Sequence, residues 1–230
     1  MNDWMFGYEF YLTGGFDNSI IDNDRAKTYL PEAKENPARF VSSNSGEPLL
    51  TGKLSFRKNN IGELGLSWMG GVYNQWKKDG VILDEKRRVD VFDLDFNTTI
   101  PHLQTHIITE FAWIFVQQPA QHPERYGTKQ LGGFVDIIQP VLKGKILGWE
   151  NASLNLGVRI EYADWNVGQF KDTNVTIADD VWSIMTAISF RPSSQTVFHL
   201  NYRYRKQHDF VTGIPPLVTK GLNLGIASYF

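Results

Sequence analysis

The chain has 230 residues, 42% hydrophobic and 13% aromatic, so it is too apolar for a disordered polymer and long enough for one large β domain or two small domains. Its formal net charge of −2 gives no overall attraction to nucleic acid. It contains no cysteine, which excludes disulfides and thiolate chemistry.

Alternation of apolar and polar residues dominates the sequence and predicts strands with two different faces. The pattern is clear at residues 198–205, which read FHLNYRYR. A strand with one apolar row and one polar row cannot be buried on both sides. In chain order, the alternation predicts ten strands, at about residues 4–14, 49–58, 63–73, 89–99, 105–117, 131–141, 152–165, 180–191, 196–207 and 220–230.

The predicted connections alternate in length. Those after the second, fourth and eighth strands are short, and residues 142–151 make a somewhat longer link after the sixth. Short turns on one rim and long loops on the other are typical of outer-membrane barrels, whose turns face the periplasm. The long, polar connections follow the odd-numbered strands, at residues 16–48, 74–88, 118–130, 166–179 and 208–219.

Three features indicate that the apolar rows contact lipid and not a protein interior. The polar rows are rich in small residues and charges of both signs, as in a crowded or water-filled lumen. No charged residue occupies the middle of a well-defined apolar row, where one Arg or Lys costs about 2–4 kcal/mol. Aromatic residues gather at strand ends, as in the two girdles of a transmembrane barrel: Trp4, Tyr73, Trp113, Tyr162, Trp165, Trp182, Tyr202, Tyr204, Tyr229 and Phe230. A soluble lipocalin-like or sandwich protein is the alternative.

Two parts of the sequence resemble known proteins. The ending GLNLGIASYF (221–230) resembles the C-terminal signal that outer-membrane barrels present to their assembly machinery, with Phe230 last. The stretches GVRIEYADWNVGQF (157–170) and DDVWSIMTAISFRPSSQTVFHLNYRYRKQHD (179–209) resemble the C-terminal half of phosphate-selective-porin-like proteins. That resemblance implies an outer-membrane porin with a signal peptide and more strands. We expect residues 1–230 to form a single β-barrel domain. Because residues 1–10 do not read as a signal peptide, we expect either that the numbering begins inside a longer precursor or that the chain is the C-terminal portion of a larger barrel.

The polar rows supply the candidate pore-lining residues. Arg203 and Arg205 lie two residues apart on one face, and arginine is suited to phosphate and carboxylate groups. The sequence leaves two readings open, since these arginines can select anions or can pair with lumenal acids and plug the lumen. The predicted pore-lining residues are Lys53, Arg57, Asp93, Asp95, Glu110, Arg159, Glu161, His199, Asn201, Arg203 and Arg205.

No catalytic or metal-binding constellation stands out. His102 and His106 have a metal-like spacing only on a helix, and here they span a turn and the start of a strand. Asp93 and Asp95 with His106 or His199 imitate the site of omptin-type barrel proteases, which is the weakest of the alternatives. The long loops, such as Asp17–Asp24, are predicted to be solvated. Residues 16–48 are unusually long for a structureless loop, so they either fold into the barrel as a constriction or contain a short helix at Glu32–Asn36.

Together these observations predict an all-β, antiparallel transmembrane β-barrel with about ten strands in this chain, located in the bacterial outer membrane. We expect a passive channel for small solutes, anions among them, and not an enzyme, with no cofactor. The expected partners are outer-membrane lipid, the barrel-assembly machinery through Phe230, small solutes and further copies of the chain, but not nucleic acid. The alternative is a closed structural or surface-binding barrel.

Overall fold

A computed structural model describes residues 4–35, 45–209 and 215–229. Ten strands form one antiparallel sheet, and two very short strands form a separate hairpin. The two helices are a 3-10 turn at Asn18–Ile20 and α1 at Leu30–Glu35. The strands are β1 (Trp4–Thr13), β2 (Leu49–Lys58), β3 (Gly62–Val72), β4 (Lys77–Lys78), β5 (Val81–Ile82), β6 (Arg88–Ile100), β7 (Thr105–Val116), β8 (Lys129–Ile146), β9 (Trp149–Asp164), β10 (Asp180–Arg191), β11 (Thr196–Gln207) and β12 (Leu217–Ser228).

The strand order is that of an up-and-down sheet. Each long strand pairs antiparallel with the long strand before it and the one after it, in the order β1-β2-β3-β6-β7-β8-β9-β10-β11-β12. The predicted all-β class and the ten predicted strands are confirmed. The β4–β5 hairpin lies inside a connection that the sequence predicted to be a loop.

One predicted connection is wrong. Residues 142–151 were expected to form a link, but β8 and β9 continue towards each other until only Leu147 and Gly148 remain between them. Both residues have positive φ angles, 49° and 87°, as in the two-residue turns that match the twist of a hairpin. The connections after β2, β6, β8 and β10 are therefore all short, and they share one rim of the sheet.

The two faces of the sheet are chemically different, as predicted. Cross-strand pairing keeps apolar residues opposite apolar residues, for example Leu54, Leu66 and Leu94 on β2, β3 and β6. We call this side of the sheet the outer face and the other side the inner face. The outer face is the more exposed one: Ile184 is 38% exposed, whereas the neighbouring inner-face Ser183 is 1% exposed. The outer apolar row is therefore not a protein core.

The buried core lies instead between the inner face and the first loop, which comprises residues 14–48. Ile20 and Ile21 of this loop pack against Tyr73, Val89 and Val116, at the end of the strands that the long loops join. We call this end of the sheet the long-loop end. The prediction that Asp17–Asp24 is solvated is wrong, because Ile20 is fully buried.

Of the two readings of the first loop, the short helix is confirmed, and the constriction of a barrel stays a prediction. The loop contains a short helix, α1, which begins two residues before the predicted position and has Pro31 in its first turn, where proline is well tolerated. Its preceding residues also pack onto the inner face, as a constriction does. Tyr73 and Trp165 are consequently not part of an aromatic girdle, since Tyr73 is buried under this loop and Trp165 borders a cavity beside it.

The sheet has two edges in the described part of the chain. β1 pairs with β2 alone, and β12 pairs with β11 alone. The outer rows of both edge strands are strongly exposed, with Tyr8 at 85% and Leu224 at 77%. Neither helix among the described residues has the length and hydropathy of a membrane-spanning helix.

Candidate channel lining

The predicted pore-lining residues all lie on the inner face. The register places Lys53 opposite Ser67, and Ser67 opposite Asp93, so these residues share one face across β2, β3 and β6. The register of the strands from β6 to β11 places the predicted residues of these strands on this same face. Sequence reasoning missed Glu63, which lies opposite Arg57 on this face. Glu63 alternates with Leu64 and Leu66 at the start of β3, and this alternation was the available signal for its position on the polar face.

An ion-pair network joins the inner faces of β8, β9, β10 and β11. Arg159 donates from Nε to Asp136 Oδ1 at 2.6 Å, and a second nitrogen lies 3.6 Å from Glu161. Arg203 pairs with the same Glu161, which also accepts a 2.5 Å hydrogen bond from Ser183 Oγ. Glu161 is therefore shared by two arginines and a serine, and this half of the lining is largely paired.

A second, smaller contact lies on the other half of the inner face. Lys53 Nζ lies 2.8 Å from Asp95 Oδ2. Asp95 faces Glu110 across β6 and β7, and Asp93 lies two residues along the same row. Asp93 Oδ1 is buried without a hydrogen-bond partner among the described residues. Three acids thus share one cation here, and this half of the lining is acidic.

Two predicted arginines are not neutralised. Among the described residues, neither Arg57 nor Arg205 forms an ion pair. Arg205 donates to Gln207 Oε1 at 2.8 Å, while its buried Nε has no partner. Arg203 and Arg205 lie on β11, far along the sheet from Asp93 and Asp95 on β6. The inner face therefore has most of its unpaired acids on β6 and β7, and an arginine without an ion pair on each of β2 and β11, so neutralisation among the described residues is only partial.

Two further predicted residues lie nearer the short-turn rim. His199 on β11 faces Gly225 on β12, and a Cβ at Gly225 would lie 2.2 Å from His199 Nε2, so the imidazole covers the glycine. Asn201 accepts a 3.1 Å hydrogen bond from Asn223 Nδ2. Neither residue meets a charged partner across the sheet, so this part of the lining is polar and uncharged.

The first loop is held to the inner face by a buried ion pair and by hydrogen bonds. Lys27 Nζ lies 2.9 Å from Asp179 Oδ1, and the two side chains are 10% and 1% exposed. Burial raises the pKa of Asp179 above its ordinary value, although Lys27 opposes that shift. Thr28 accepts hydrogen bonds from Gln118 at 2.8 Å and from Gln130 at 3.1 Å. These contacts fix the loop across β7 and β8 at the long-loop end.

Aromatic packing adds to this attachment. Tyr73 is fully buried beneath the loop and donates a 2.6 Å hydrogen bond to the carbonyl of Gln117. Its burial raises the pKa of the phenol to about 12. Trp76 donates from Nε1 to the carbonyl of Ser45 at 2.9 Å, which ties the far end of the first loop to the connection after β3. The loop is thus fastened at both of its described ends.

Comparison of the chain with family models, with curated proteins and with solved structures finds no match. The resemblance of residues 157–170 and 179–209 to phosphate-selective-porin-like proteins therefore stays a prediction. In the described part of the chain, no three His, Asp or Glu side chains are grouped as metal ligands. The two faces of the sheet and the attached first loop are the features that bear on function.

Proposed function

We propose that this chain lies in the bacterial outer membrane, where its sheet closes into an antiparallel β-barrel and conducts small solutes passively, small anions among them. The outer face then contacts hydrocarbon and the inner face lines a water-filled lumen. The short turns face the periplasm and the long loops face outwards. The barrel-assembly machinery binds the C-terminal segment of the chain, which contains β12, and Phe230 at the end of the sequence is outside the described residues.

The exposure of the outer face carries this proposal. Leu66, Ile188 and Leu200 are 43%, 48% and 39% exposed, and they lie in rows without a charge at their centre. A contiguous apolar surface of this extent is rare on a soluble monomer. Ion pairs and amides occupy the opposite face, so the arrangement is inverted relative to a soluble barrel. The hydrocarbon chains of lipid are therefore the environment in which an exposed apolar outer face is stable.

Closure of the sheet is part of the proposal. β1 and β12 run antiparallel, because an even number of strands alternates in direction between them. Pairing of the two edges satisfies their backbone N–H and C=O groups, which is required in hydrocarbon. We expect the folded protein to migrate faster on an SDS gel before heating than after heating. A single position under both conditions would contradict a closed barrel.

A closed structural or surface-binding barrel is the second candidate, and the first loop favours it. The loop covers part of the inner face at the long-loop end through a buried core and an ion pair. A protease is less well supported, since Asp93 and Asp95 lie in the middle of β6, whereas omptin-type sites lie near the extracellular rim. His106 accepts or donates a 2.9 Å hydrogen bond with Thr99, at the short-turn end of β7.

Conductance in a planar lipid bilayer distinguishes the first two candidates. Purified protein added to one side should give stable, ohmic current steps if the lumen is open. No steps from protein that shows heat-modifiable migration would favour the closed barrel. The heated, unfolded sample serves as the control for current from detergent.

The charge distribution on β11 predicts how the channel selects ions. The double change Arg203→Gln and Arg205→Gln removes two inner-face cations and leaves Glu161 with one arginine fewer. We expect the anion-to-cation permeability ratio, measured from the reversal potential in a salt gradient, to fall by about twofold or more. Lys206→Gln, on the outer row of the same strand, is the matched control and should leave the ratio unchanged. An unchanged ratio in the double variant would show that these arginines do not line the ion path.

A further inference from the structure

A cavity of about 560 Å³ lies between the first loop and the inner face, at the long-loop end. Phe16 and Leu30 border it on the loop side, and Met69 and Ile114 border it on the sheet side. A lumen that carries only ions and polar solutes needs polar walls, yet this part of the inner face is apolar. Its volume is within the range of about 300–1,000 Å³ that is common for small-molecule sites.

The floor of this cavity is made by small residues in register. Ala112, Gly132 and Ala163 are direct neighbours across β7, β8 and β9. A Cβ at Gly132 would lie 3.3 Å from the Cβ of Ala163, so these residues already pack closely. Because none of these three positions has a large side chain, the floor of the cavity is shallow and flat. Phe16 and Trp165 also border the cavity.

The lining offers no partner for a charged group. Among the described residues, the lining contains neither Lys nor Arg, and its one acid is Asp164. The Asp164 carboxylate accepts hydrogen bonds from the backbone N–H of Asn166 at 2.9 Å and from the Tyr162 hydroxyl at 3.5 Å. An anion transferred into this cavity would lose its hydration without a cation among these residues to compensate, and the Asp164 carboxylate already accepts two hydrogen bonds within the protein. The cavity therefore suits an uncharged group.

We infer that this cavity binds an uncharged aromatic ring of a small solute. A flat floor and aromatic sides fit a planar ring, and the thioether of Met69 adds a favourable sulfur–aromatic contact. The inference rests on the proposed channel, because a solute that crosses the lumen meets this cavity at the long-loop end. Aryl-bearing solutes are then retained before they reach the charged part of the lining.

The test uses folded protein in detergent and equilibrium dialysis. The probe is 4-nitrophenyl β-D-glucoside, and methyl β-D-glucoside is the matched compound without the ring. We expect saturable binding of the aryl glucoside and none of the methyl glucoside. Ala112→Leu and Ala163→Leu each fill the floor and should weaken aryl binding by about tenfold or more. Ala187→Leu, on the inner face but outside this cavity, should leave binding unchanged.

Two results would overturn the inference: absence of saturable aryl binding to the parent protein, or parent-like binding by both filled variants. Loss of heat-modifiable migration would reveal a folding defect in either variant. If one variant fails to fold, aryl binding by the other variant tests the inference. Conductance is measured on the same preparations. Current steps without aryl binding would refute this inference alone, and aryl binding without current steps would refute the channel alone.

Discussion

An arginine in place of Leu66 should destabilise the folded protein by about 2–4 kcal/mol in lipid vesicles, if it lies near the bilayer midplane. Leu66 is in the middle of β3, and its cross-strand neighbours on the outer face are Leu54 and Leu94. A guanidinium there has no partner and displaces lipid contacts. The free energy of unfolding from urea titration in vesicles measures the effect.

The matched control is Ser67→Arg, one residue along the same strand and on the inner face. Ser67 lies opposite Asp93, whose buried carboxylate oxygen lacks a partner among the described residues. An arginine at this position gains Asp93 as a counter-charge in an aqueous lumen, where water and salt screen its repulsion from Lys53 on the other side, so we expect a change of about 1 kcal/mol or less. Equal destabilisation by the two variants would indicate that β3 does not separate lipid from water.

The second large effect concerns the first loop. Lys27→Met leaves the buried Asp179 carboxylate without its counter-ion, and removal of one partner of a buried pair typically costs about 3–5 kcal/mol. We expect the loop to detach from the inner face, so that the free energy of unfolding falls and single-channel conductance rises. Urea titration and bilayer recording measure the two changes.

Two further variants test whether loss of the buried ion pair causes the effects of Lys27→Met. Lys145→Met removes an ion pair whose side chains are 67% and 70% exposed, and it should change the unfolding free energy by about 1 kcal/mol or less. The double variant Lys27→Met with Asp179→Leu removes both buried charges and should recover most of the loss. If Lys27→Met alone behaves like Lys145→Met, the buried pair does not hold the loop.

The strands were predictable because a single physical rule, period two with one apolar row, applies along the whole sheet. The rule failed where the pairing is irregular. Register shifts between Pro140 and Leu142 and between Gly144 and Ile146 interrupt the alternation, and the two lysines in this stretch resemble a loop. The sequence therefore predicted a link in a place where β8 continues.

The candidate lining was predictable in position but not in pairing. Period two places Arg159, Glu161 and Arg203 on one face, but the shared contacts at Glu161 depend on which strands are neighbours. The attachment of the first loop was not predictable, because Lys27 and Asp179 are separated by 152 residues. The adjacent isoleucines at 20 and 21, with Phe16 and Leu30 nearby, were the available signal for its burial.

The central claim is that hydrocarbon contacts the outer face. Because the chain contains no cysteine, single cysteines at residues 184–188 of β10 can each carry a nitroxide spin label in lipid vesicles. We expect labels at Ile184, Thr186 and Ile188 to collide mainly with oxygen, and labels at Met185 and Ala187 to collide mainly with a water-soluble nickel complex. Equal access of the nickel complex to all five positions, or the opposite alternation, would contradict this claim.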